Sequence, residues 1–134
     1  VFVRVDPTIL TAYGPTMSAR VERWKGIWET RDLEAIVAMY AVDATHASGV
    51  VADVWPELGR TIVRGRGEIA EYFRRALARF EWLRFEVVGV TEDASRSAVE
   101  YHRHSDRDGA HPKHVLEVLE WDAGLLRAVR VFHA

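Results

Sequence analysis

The chain has 134 residues, enough for one domain around one core. It carries 18 Lys and Arg against 20 Asp and Glu, a net charge of −2, so there is no basic field to hold nucleic acid. It has no cysteine, which excludes disulfides, thiolate metal sites and a cysteine nucleophile, and no apolar run approaches the ~20 residues that span a bilayer.

Residues 1–15, with Pro7, Gly14 and Pro15, read as an extended arm before a domain over 16–134. The opening "VFVRVDPTIL" has neither the long apolar core nor the small-residue cleavage site of a signal peptide, so a cytoplasmic location is expected. From Thr16, the residues Met17, Val21, Trp24 and Trp28 recur at three- and four-residue steps, which predicts a first helix. Asp32 is a good N-cap for a second, short helix carrying Leu33, Ile36, Val37 and Tyr40. "DATHAS" reads as a short strand with Ala44, His46 and Ser48 on one side. Residues 49–59, with Pro56 and two glycines, read as a loop in which Asp53 and Trp55 could close over a ligand. "RTIVRG" is a second short strand. Gly65 and Gly67 then introduce a third helix with Ile69, Tyr72, Phe73, Ala76, Leu77 and Phe80 on its apolar side. "GRGEI" has neither the Lys-Ser/Thr of a P-loop nor a complete GxGxxG, and is read as that helix's start.

After Glu81 the period changes to two. Segments 82–90, 97–105, 113–121 and 125–133 alternate or run apolar, and the turn-rich stretches "TEDASR", "DRDGAH" and "DAG" separate them. Such short links favour antiparallel neighbours. The plan is α+β, with helices packed on one face of a curved sheet.

The pieces "RDLEAIVAMYAVDATH", "GRGEIAEYFRRAL" and "LEWDAGLLRAVRVFH", in this order, give the chain a resemblance to the SnoaL-like branch of the nuclear-transport-factor-2-like superfamily. The resemblance covers residues 16–133. It implies a cone: a curved, mostly antiparallel sheet wrapped around three N-terminal helices, with an internal pocket. It also implies a homodimer through the outer sheet face, where Ala98, Leu116 and Val118 offer apolar surface. The family includes polyketide cyclases, ketosteroid isomerases, limonene epoxide hydrolases, scytalone dehydratases and many domains without chemistry. In the isomerase pattern, Trp24 stands at the tyrosine donor, Ser48 at the carboxylate base and Glu117 near the protonated aspartate; a serine cannot serve as that base. In the epoxide hydrolase pattern Arg103 matches the arginine, but Ser105 and Arg130 replace the aspartates, and His46 and Ser48 replace the tyrosine and asparagine. Both patterns imply that Tyr101, Arg103 and Ser105, then Val115, Glu117 and Leu119, then Ala128, Arg130 and Phe132 face the cavity with His46 and Ser48. Trp24 and Trp28 would complete its wall.

Glu117 lies inside the apolar strand "HVLEVLEW". A carboxyl there is a desolvated general acid or base, one half of a buried ion pair with Arg103 or Arg130, or on a strand turned so that it meets water. The two arginines either hold an anion or oxyanion, or neutralise acidic neighbours. His46 is either a proton carrier or a core histidine bonded to the backbone, and Tyr101 could orient a carbonyl. His102, His104, His111 and His114 cluster, but their alternation puts them on the side away from the cavity. No metal and no cofactor is expected. These residues together point to cofactor-independent acid–base isomerisation, cyclisation, dehydration or hydrolysis of a hydrophobic carbonyl or epoxide compound, one with an anionic or oxyanion-forming group. His46 or Glu117 would move the proton, and Arg103, Arg130 and Tyr101 would stabilise the oxygen. The alternatives are a small-ligand-binding domain without turnover and a protein-interaction module.

Overall fold

The computed structural model describes residues 16–134, and the arm expected over 1–15 lies outside the described residues. Helix α1, Ala19–Thr30, starts where the Ser18 hydroxyl accepts the Val21 N–H and ends where Arg31 turns left-handed at φ 57°. Asp32 caps α2, Leu33–Ala38, by accepting the Ala35 N–H at 3.1 Å. Tyr40 does not end that helix; it opens β1, Tyr40–Ser48. Tyr40, Ala44, His46 and Ser48 are buried on one side of β1, but Val42 between them is 73% exposed, and this break in the alternation hides the strand's true start.

Residues 49–59, expected as a loop, hold a five-residue helix α3, Val50–Val54, and a 3-10 turn, Pro56–Leu58, closed by Gly59 at φ 74°. Strand β2, Ile62–Arg64, is followed by α4, Gly65–Leu77, so the described residues hold four α-helices rather than three. Glu68 ties down the start of α4, accepting the Arg64 N–H at 2.9 Å and pairing with Arg60 at 2.6 Å.

Strands β3 (Leu83–Glu92), β4 (Arg96–Ser105), β5 (Lys113–Asp122) and β6 (Leu125–His133) fall within two residues of the four expected segments. They form one six-stranded sheet of order β2-β1-β6-β5-β4-β3. Among the described strands only β1 and β6 run parallel; all other neighbours are antiparallel. Helix α1 is pinned to the β3 side, where Glu29 accepts the Phe85 N–H at 2.7 Å and Arg20 donates to the Ala94 carbonyl at 2.8 Å. Helix α4 packs on β1. Between helices and sheet lies an aromatic layer in which Phe85 stacks on Tyr101 at 4.4 Å and Trp28 meets Phe73 edge-on at 4.9 Å.

One expected strand face is reversed. Trp121 pairs with Leu126 but Glu120 pairs with Ala128, so Arg127 is an extra residue in β6. Each residue of β6 beyond that bulge changes side. Val129, Val131 and His133 therefore lie across from the inward residues Leu119, Glu117 and Val115. Ala128, Arg130 and Phe132 stand on the outer face, contrary to expectation, with Arg130 exposed and Phe132 52% exposed.

Candidate functional site

A cavity of about 460 Å³ opens between the helices and the inner face of the sheet. Trp28 from α1, Phe73 from α4, and Phe85, Val115 and Val131 from the sheet supply apolar wall. His46, Ser48, Tyr72, Tyr101 and Glu117 bring polar groups to the same space. A mostly apolar cavity with a few convergent polar groups is the usual form of a small-molecule site.

Glu117 is 6% exposed and has no cationic partner among the described residues, and Arg103 pairs with Asp108 instead, so the buried ion pair with Arg103 or Arg130 does not form. Its Oε1 accepts the Tyr101 hydroxyl at 2.5 Å, while Oε2 is buried with no hydrogen-bond partner among the described residues. Burial pushes the carboxyl up to about 7, against the opposing pull of the Tyr101 hydrogen bond, which favours the ionised form. Such a group exchanges a proton near neutrality.

His46 and Tyr40 form a second buried pair, with the Tyr40 hydroxyl 3.0 Å from His46 Nδ1. Tyr40 is fully buried and has no other partner for its hydroxyl among the described residues. If Nδ1 carried the proton, the Tyr40 O–H would be left without an acceptor. The arrangement that satisfies both groups has Tyr40 donating to Nδ1 and the ring proton on Nε2. Burial lowers the imidazole to about 3, so the ring is neutral. Phe73 meets it edge-on at 4.9 Å and Tyr72 packs at 5.6 Å. A neutral imidazole with Nε2–H is a poor proton acceptor and a good hydrogen-bond donor.

The remaining candidates divide. Arg103 lines the cavity, but Asp108 holds it with two bonds, of 2.8 and 3.1 Å, and it lies over the Phe80 ring at 4.9 Å. Trp28, Ser48, Asp53 and Val115 also line the cavity. Trp24 and Leu119 are fully buried in the core behind the lining. Ser105 faces inward but donates to Asp108 at 2.8 Å and shapes the β4–β5 turn. Trp55 does not close over the cavity; it sits under the Arg75 guanidinium at 4.9 Å. Of the clustered histidines, His111 lies in the β4–β5 turn, and the others lie on the outer sheet face, where His104 contacts Glu86 at 2.9 Å and His114 contacts Glu100 at 2.6 Å. Among the described residues no three potential metal ligands converge, and no helix is long and apolar enough to cross a membrane.

Sequence reasoning missed Tyr40, which sets the His46 tautomer, and His133, which the β6 bulge turns inward. It also missed the cations Arg79, Arg107 and Lys113 around the opening. The even spacing from Tyr40 to Ala44, His46 and Ser48 was the available signal for the first; nothing in the sequence marks the others.

Solved structures share the fold at low identity. A SnoaL-like protein of unknown function from Burkholderia thailandensis is 22% identical with a TM-score of 0.71, over 90% of this chain and 99% of that one. A polyketide cyclase candidate from Sinorhizobium meliloti is 14% identical, TM-score 0.68, over 87% of this chain and 95% of that one. A ketosteroid isomerase candidate from Kribbella flavida is 18% identical, TM-score 0.63, over 87% of this chain and 76% of that one. No curated protein matches the chain. The profile of the SnoaL-like domain matches residues 21–129, most of the chain, and the protein belongs to the SnoaL-like domain family, with the nuclear-transport-factor-2-like fold.

Proposed function

We propose that the protein is a cofactor-independent enzyme that moves a proton on a hydrophobic carbonyl compound, in an isomerisation or cyclisation. The observation that carries this reading is Glu117: a cavity-lining carboxyl, buried, unpaired by any cation among the described residues and pushed by burial up to about 7. In the proposed step the ionised Glu117 takes a proton from the carbon next to the carbonyl. The C–H electrons move into the enolate, and the His46 Nε2–H stabilises the oxygen as charge builds there. Glu117 then returns the proton to another carbon, or the enolate carbon attacks a second carbonyl, whose π electrons move to its oxygen and take the proton back from Glu117. Tyr101 acts on Glu117 rather than on substrate, because its hydroxyl proton is already given to Oε1. Glu117, not His46, is the proton carrier, since a ring that protonates only at about pH 3 is a weak base at neutrality.

The test is ¹³C-carboxyl titration of Glu117 with and without a panel of hydrophobic ketones, followed by turnover assays on whatever binds. A midpoint near 7 that moves on ligand binding, and a loss of ~10²-fold or more in Glu117→Gln, are expected. Ligand binding with no turnover of any ketone would instead make this a binding domain.

The same reading includes self-association through the outer sheet face, where Leu116 and Phe132 are paired neighbours, 40% and 52% exposed. Phe132→Asp is expected to shift a dimer to monomer in sedimentation, and an unchanged sedimentation profile would remove the assignment.

A further inference from the structure

The opening of the cavity carries charge that the chemistry around Glu117 does not use. Four cations line the cavity, Arg79, Arg103, Arg107 and Lys113, and besides Glu117 two carboxylates, Asp53 and Asp108. Arg103 and Asp108 neutralise one another through their two-bond contact. Arg79, Arg107 and Lys113 have no ion-pair partner among the described residues, although the chain forms many such pairs elsewhere on its surface. Three cations against Asp53 leave a surplus of positive charge at the mouth of a cavity in a chain whose net charge is −2. A field of that sign, focused on an opening with apolar walls, attracts anions.

Two groups that line the cavity, buried Tyr72 and exposed His133, feel these cations. The positive charges of Arg79 and Arg103 favour ionisation of the Tyr72 hydroxyl, opposing the burial that raises it. His133 is lowered first by burial and then by Arg103 and Lys113, which oppose a further positive charge there. Arg79, Arg103 and Lys113 are therefore close enough to act on groups that line the cavity.

We infer that the ligand of this cavity is an amphipathic carboxylate, with its apolar body between Trp28, Phe73 and Phe85 and its anionic end at the mouth on Arg79, Arg107 and Lys113. This deepens the proposed function and rests on it for the claim that the ligand is a substrate. The carbonyl would lie inside, near His46 and Glu117, and the carboxylate would stay in the hydrated opening, where it costs little to desolvate. The polarity of entry follows. A ligand entering carboxylate-first would bring its charge to the unpaired, ionisable Glu117, which repels it.

The test uses naphthylacetate and its uncharged amide, naphthylacetamide, titrated into ¹⁵N-labelled protein. The acid is expected to bind about tenfold more tightly than the amide at low salt, with shifts at the Trp28 indole. The preference should collapse toward unity at about 0.5 M salt and in the Arg79→Gln, Arg107→Gln, Lys113→Gln triple variant. Equal binding of acid and amide, binding of neither, or a preference that survives both salt and the triple variant would overturn the inference. If the variant fails to fold, the salt series on the native protein still decides. Glu117→Gln separates the two claims: it should keep the preference for the acid while losing turnover. A lost preference beside a normal Glu117 titration would sink only the carboxylate assignment. A kept preference beside an unshifted Glu117 would sink only the enzymatic one.

Discussion

At pH 8, Glu117→Gln is expected to be the more stable protein, by about 3 kcal/mol. The folded carboxyl titrates at about 7, against 4.5 in an unfolded chain. Between those values the folded state holds a proton that the unfolded state has released. Stability is therefore full below pH 4.5, falls as pH rises towards 7, and is flat above. A gap of that width corresponds to ~3 kcal/mol at ~1.4 kcal/mol per pH unit. Glutamine keeps the acceptor for the Tyr101 hydroxyl and removes the ionisation. Its free N–H₂ replaces an Oε2 that has no partner either, so the exchange adds little new cost. Urea unfolding of both proteins from pH 4 to pH 9 checks this. Equal stability near pH 4 and a gap opening through pH 7 are expected; parallel curves would show that Glu117 is not desolvated in the folded state. The prediction bears directly on function. A residue that stabilises the protein when neutralised, yet stands unpaired in a cavity, is retained at a cost to stability, which is the pattern of a group kept for chemistry.

The strands after Glu81 were legible because alternation is a local signal and the turns that bound it are chemically explicit. Asp93 accepts the Ser95 and Arg96 N–H groups at 2.9 Å each, and Ala123-Gly124, both at positive φ, close the last hairpin. Glu117 was legible for a similar reason: a carboxyl inside an apolar alternating strand must face either a partner or a cavity. Arg130 and Phe132 were misplaced because the face of β6 depends on one extra residue at Arg127, and a bulge leaves no mark in a pattern read two residues at a time. The Tyr40–His46 pair was hidden by exposed Val42, which made Tyr40 look like the end of a helix. The cations of the mouth come from the turn after α4, from the β4–β5 turn and from β5. Their meeting is a product of tertiary structure, and no spacing in the sequence encodes it.

His46 should give the opposite pH dependence, and the two together form a test that neither gives alone. The folded imidazole titrates at about 3, against 6.5 when unfolded. Below pH 6.5 the unfolded chain takes up a proton that the folded state refuses. Stability is full above pH 6.5 and is lost as pH falls toward 3, by ~5 kcal/mol over the whole range. Between pH 4.5 and 6.5 the folded protein holds one proton more at Glu117 and one fewer at His46 than the unfolded chain, so the two slopes cancel. In that window both groups are neutral in the fold, and the inner cavity is free of formal charge, as suits a hydrophobic carbonyl compound. Removing one residue should expose the slope of the other. Glu117→Gln should gain stability steeply as pH rises from 4.5 to 6.5, His46→Gln should lose it over the same range, and the double variant should follow the native protein's shape. The amide of His46→Gln can still accept the Tyr40 hydroxyl, so any cost from that contact is a constant offset and leaves the slopes intact. Urea midpoints at four or five pH values are sufficient. A His46→Gln slope equal to the native one would mean that the imidazole takes up its proton freely in the folded state. It could then serve as a base after all, and the division of labour between His46 and Glu117 would have to be reversed.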